Sequence, residues 1–113
     1  MRRLFLLLGL TVLGAAPAVA QAPCPANFQG QTAPVTCTCD AQAALSGSVW
    51  GTGTDTADSR ICRAAVHAGF IPATGGTVNV VPAPGLPSYV DTPANGITTL
   101  NYGPWSASFT FRR

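Results

Sequence analysis

The chain has 113 residues, of which 9% are charged, and its formal net charge is +2. All six cations are arginine and all four anions are aspartate; lysine and glutamate are absent. Without lysine there is no phosphate-binding P-loop and no Schiff-base chemistry.

Residues 1–20 have the three-part layout of a signal peptide: Met1-Arg2-Arg3, an apolar run from Leu4 to Leu13, and Ala18-Val19-Ala20 as an A-x-A cleavage site. The apolar stretch is interrupted by Gly14 and Pro17 and has no basic stop-transfer flank, so cleavage is expected, not a transmembrane span. Arg2-Arg3 is a partial match to a twin-arginine signal, but ordinary secretion fits the short basic start better. Pro23 stands where a lipoprotein signal needs a small residue, which argues against lipidation at Cys24. The expected product is a secreted or periplasmic domain of 93 residues, 21–113, with four arginines against four aspartates. A nucleic-acid partner is not expected, because counterion release needs a cationic face.

Four cysteines in an exported chain predict two disulfides. Pairing Cys37 with Cys39 leaves too little chain between them. Two pairings remain: Cys24–Cys37 with Cys39–Cys62, or Cys24–Cys39 with Cys37–Cys62. A zinc site is not expected, since there is no C-x-x-C and His67 is the only histidine.

In chain order, Val35-Thr36-Cys37-Thr38-Cys39 alternates strictly and predicts a strand with both cysteines inward. Ser48-Val49-Trp50 predicts a second strand and Thr77–Val81 a third, rich in β-branched residues. Between them a helix is predicted over 59–68, capped by Asp58 or Ser59 and ended by Gly69. Ile61, Ala64, Ala65 and Ala68 line one face and Cys62 and Val66 widen it, so the helix is expected to be buried on several sides. Asn95-Gly96 predicts a hairpin turn before Ile97. The last strand places Trp105, Ala107, Phe109 and Phe111 on one face and Ser106, Ser108 and Thr110 on a wet one.

Val49-Trp50-Gly51-Thr52-Gly53, Asp58-Ser59, Ile61-Cys62, Ala64-Ala65-Val66-His67-Ala68-Gly69 and Trp105-Ser106-Ala107-Ser108-Phe109 together resemble the LCCL domain family. Ile71, Gly75-Gly76, Pro84-Gly85, Tyr89 and Asn95-Gly96-Ile97 extend the resemblance over roughly residues 24–111. Asp55 departs from it, standing where the family commonly has an aromatic residue. The resemblance implies an α+β fold with a single central α-helix wrapped by antiparallel β-sheet and two disulfides. It also favours the pairing Cys24–Cys37 with Cys39–Cys62. Family members are extracellular modules without known catalysis, and some are linked to lipopolysaccharide binding and host defence.

His67 is the single candidate general base, but Asp58 and Ser59 lie a helix length away from it. No G-x-S-x-G elbow exists, so a structural histidine is the expectation. Asp55 and Asp58 lack the rest of a calcium loop. No catalytic residue, cofactor or metal is therefore expected. Trp50 and Trp105 are expected to pack in the core, whereas Tyr89 and Tyr102 lie in Pro/Gly-rich loops and are candidate ligand contacts. Arg60 and Arg63 are the candidate anion contacts. The expected function is a non-catalytic binding module for envelope glycan, lipopolysaccharide or protein. The alternative is a small exported hydrolase, or a helper subunit of one, using His67.

Overall fold

A computed structural model of the chain describes residues 22–113. The expected signal peptide and the junction at Gln21 lie outside the described residues. The elements run β1 (Val35–Asp40), α1 (Ala41–Ala44), β2 (Gly51–Thr52), β3 (Thr54–Thr56), α2 (Ile61–His67), β4 (Gly75–Pro84), β5 (Pro93–Ala94), β6 (Ile97–Thr98) and β7 (Ala107–Arg112). Five strands form one antiparallel sheet in the order β1-β4-β7-β3-β2, and β5 and β6 form a separate hairpin.

Register decides which side chains reach the core. Cys37 lies opposite Val78, Val80 opposite Phe111, and Asp55 opposite Phe109, so these residues share one face of the sheet. That face packs with Ile61, Cys62, Ala64, Ala65 and Val66 of α2 in a single apolar cluster. Phe28, from the N-terminal segment, meets Phe109 with ring centroids 5.8 Å apart. Strand β4 outruns the predicted 77–81 at both ends and takes in Pro82 and Pro84. This is tolerated because β1 pairs only as far as Val80; beyond it β4 is an edge and needs no donor on that side.

The expected architecture is corrected here. The chain is mostly β, with two short helices and no single central helix wrapped by sheet. Helix α2 is apolar around most of its circumference because three different elements cover it: α1, β4 and β6. An all-round apolar helix reports burial and does not identify what buries it. Helix α1 was not expected; Asp40 caps it, its carboxylate accepting from the Ala43 N–H at 2.7 Å.

Helix α2 starts later than expected, and neither Asp58 nor Ser59 caps it. Its N-cap is Arg60, without a side-chain bond, and the Ile61 N–H donates to the Ala26 carbonyl. The Ser59 hydroxyl is taken instead by the Trp50 N–H at 2.9 Å and by Thr56 Oγ1 at 2.8 Å. The other end closes as a Schellman motif. Gly69, at φ +82°, donates to Val66 and Phe70 donates to Ala65, a conformation that the missing Cβ permits.

Two bridges tie these parts together, Cys24–Cys37 and Cys39–Cys62, with no free cysteine among the described residues. Cys37 and Cys39 share the inner face of β1, so the two bridges stack, with the Cys24 and Cys39 sulfurs 3.6 Å apart. The sulfurs of Cys24, Cys39 and Cys62 cluster closely, but all three are consumed by disulfides, so the cluster offers no thiolate to a metal. The hairpin turn forms at Asn95-Gly96, both at positive φ (52° and 80°), between Ala94 and Ile97. Of Ser48-Val49-Trp50 only an isolated bridge survives, Trp50 pairing in parallel with Leu100.

Candidate functional site

The candidate binding residues exchange roles in the structure. Tyr89, expected at the surface, is 3% exposed. Its hydroxyl lies 2.6 Å from Ser108 Oγ and accepts from the Leu86 N–H at 3.0 Å, which also buries Ser108 on the strand face expected to be wet. Tyr89 is therefore enclosed, with its hydroxyl already engaged, and offers no surface to a ligand. Trp50 and Trp105, expected in the core, are half-buried and lie outside the apolar cluster. They flank Tyr102, which is 46% exposed. The Trp50 and Tyr102 centroids are 6.4 Å apart at 68°, and those of Tyr102 and Trp105 are 5.5 Å apart at 75°. The three rings form a ridge held edge to face.

The backbone fixes each ring. Trp50 is held by its N–H to Ser59 Oγ and by its carbonyl, which accepts from Thr56 N. Tyr102 exchanges both backbone bonds with Tyr89, and the Trp105 N–H donates to the Leu86 carbonyl. The chain around Trp105 approaches Gly85 so closely that a Cβ there would collide with the Trp105 carbonyl oxygen. Leu100, paired with Trp50 and 45% exposed, continues the apolar surface, and Val90 is exposed beside Tyr89. Neither exposure was legible in sequence, because an isolated leucine or valine in a β-rich segment reads as core.

The other candidates lie elsewhere. Arg60 and Arg63 sit at the start of α2: the stem of Arg60 lies against Gly47, and Arg63 donates to the Leu45 carbonyl at 2.6 Å. Arg113 lies over the Phe70 ring, 4.4 Å from its centroid. His67 is 3% exposed; its Nε2 lies 2.9 Å from the Thr92 carbonyl oxygen, and its backbone carbonyl accepts from Asn95 Nδ2. Ser59, its supposed partner, is fully buried and engaged with Trp50 and Thr56. A cleft of about 450 Å³ lies at the far end of α2, lined chiefly by Val66, Phe70, Ile71, Pro72 and Asn95, without a nucleophile or a charged group. Among the described residues no helix is long and apolar enough to cross a membrane.

A disulfide-stapled β-rich module with an exposed aromatic ridge and a buried histidine has the makings of a recognition domain. The chain belongs to the LCCL domain family, whose model matches residues 16–109. It is 46% identical to cochlin of Cavia porcellus over 63 residues, which are 56% of this chain and 12% of cochlin. It is 38% identical to clotting factor C of Tachypleus tridentatus over 79 residues, 69% of this chain and 8% of that protein. Vitrin of Mus musculus is 34% identical over 61 residues, 54% of this chain and 9% of vitrin. The matches thus span only about a tenth of these relatives' length, one module of a much larger whole. The LCCL domain family is one of binding modules.

Proposed function

We propose that the protein is exported and works as a non-catalytic binding module. Its ligand is an envelope glycan, a lipopolysaccharide or an extracytoplasmic protein. The observation that carries this reading is the ridge of Trp50, Tyr102 and Trp105, continued by Leu100, on the surface of a domain with few apolar side chains to spare. Small domains bury a modest share of their surface, and contiguous exposed aromatic area on them marks interaction sites. The hydrolase reading loses support, because the His67 ring is enclosed and bonded to Thr92.

The test is a binding screen with the oxidised exported protein against purified envelope glycans, lipopolysaccharide and envelope proteins. Retention on one class is expected, with Tyr102→Ala weakening it roughly tenfold. Retention that ignores Tyr102, or none at all, refutes the reading. Export has its own check. The intact mass of secreted material is expected to begin at Gln21, with no thiol alkylated before reduction; a species that keeps residues 1–20 contradicts it.

A further inference from the structure

Resting on that reading, we infer that the ridge is a stacking platform for a neutral sugar chain. Three properties of the ridge converge on this ligand chemistry. The rings meet edge to face at 68° and 75°, so their two contacts cover at most two ring faces. A pyranose presents C–H groups on its own faces, and their partial positive charge complements the negative face of an aromatic ring. The ring planes differ by 68° and 75°, so a sugar stacked on one ring meets the edge of the next, and spacings of 6.4 and 5.5 Å bring both rings within reach of one short chain.

The polar edges of the ridge fit the same ligand. The Tyr102 hydroxyl and the two indole N–H groups make no hydrogen bond to any described residue, and none is a buried orphan. They remain available to the hydroxyl rim of a sugar, the arrangement of apolar walls with a few polar groups that small-ligand sites use.

Charge argues against an anionic ligand at this place. Arg60 and Arg63 are held against the 45–47 loop, and Arg113 is stacked on Phe70. Near Tyr102 the chain brings an acid: the Asp91 N–H donates to the side-chain oxygen of Asn101, while Arg60, whose N–H donates to the Ser48 carbonyl two residues before Trp50, keeps its side-chain stem against Gly47. A phosphate-bearing ligand would find no cation built into the ridge and a carboxylate close by in the chain.

Both tryptophans of the protein lie in the ridge, so fluorescence excited selectively at tryptophan reports on this surface. The oxidised protein is titrated with cellohexaose and chitohexaose as neutral probes, and with lipopolysaccharide micelles as the anionic one. At least one neutral probe is expected to shift the emission and protect it from acrylamide quenching. Affinity should change less than about twofold between low and high salt, because no ion pair is screened. Tyr102→Ala should weaken binding roughly tenfold, and Tyr102→Phe should restore most of it by keeping the ring. Arg60→Ala/Arg63→Ala should leave it unchanged. Silence with both neutral probes overturns the inference. So does lipopolysaccharide binding that falls steeply with salt and vanishes in the arginine pair. A ridge-dependent protein partner from the screen would uphold the binding module and overturn the sugar, so the two readings fail separately.

Discussion

Cys39→Ala/Cys62→Ala is expected to lower the midpoint of thermal unfolding by about 15–25 °C, and Cys24→Ala/Cys37→Ala by somewhat less. The two bridges close loops of different length, with sequence separations of 23 and 13. On the chain-entropy account these contribute about 3.4 and about 3 kcal/mol. For a domain of this size each kcal/mol moves the midpoint by about 4–8 °C. The longer bridge has a second role. Cys39 lies on edge strand β1 and Cys62 in the first turn of α2, both nearly fully buried, and theirs is the one covalent tie between sheet and helix. Helix α2 has seven residues and no side-chain N-cap, so it is too short to persist without its packing. The larger loss should therefore come with an earlier loss of helical circular dichroism in the Cys39/Cys62 variant than in the Cys24/Cys37 variant. Equal melting curves for both variants and the oxidised parent would refute this account.

What could be read from sequence was the local pattern, and what could not was decided across the fold. Val35–Cys39 alternates with period two, which was enough to turn both cysteines inward. Asn95-Gly96 supplied the left-handed pair for the hairpin, and Gly69 supplied the Schellman glycine. The chemistry of each lies within a few residues. Ser59 looked like a helix cap, but its hydroxyl serves a backbone N–H nine residues away at Trp50. Tyr89 looked like a loop aromatic until its hydroxyl met Ser108, 19 residues on, which buried both. The site was the least legible part, because Trp50 and Trp105 share a strand pattern with true core residues, and only long-range pairing such as Trp50–Leu100 and Tyr89–Tyr102 leaves them half-buried beside the exposed Tyr102. Helix α1 was within reach: Asp40 followed by Ala-Gln-Ala-Ala is a capped start that the strand before it obscured.

Asp55→Asn is expected to flatten the dependence of stability on pH and to make the protein more stable than its parent at and above neutrality. Asp55 lies on the core face of β3 opposite Phe109. It is 0% exposed, and neither carboxyl oxygen has a hydrogen-bond partner among the described residues. Burial disfavours the charged form, and its pKa is pushed up from 3.8 to about 7. The sign follows from linkage. Below the unfolded value of 3.8 both states hold the proton, and the contribution to stability is complete. As pH rises, the unfolded chain gives up its proton while the folded protein keeps it, so stability falls by about 1.4 kcal/mol per pH unit. The fall ends once pH passes the folded value of about 7, after a total loss on the order of 4 kcal/mol. Asparagine has nearly the same shape and does not ionise, so its variant lacks this slope. Thermal melts of both proteins at pH 4, 5.5, 7 and 8.5 provide the check. The parent should lose stability across that series while the variant holds steady, with the curves separating most at pH 8.5. Parallel curves would show that the Asp55 carboxyl is solvated or paired in solution, and a parent that gains stability toward pH 7 would reverse the sign of its contribution.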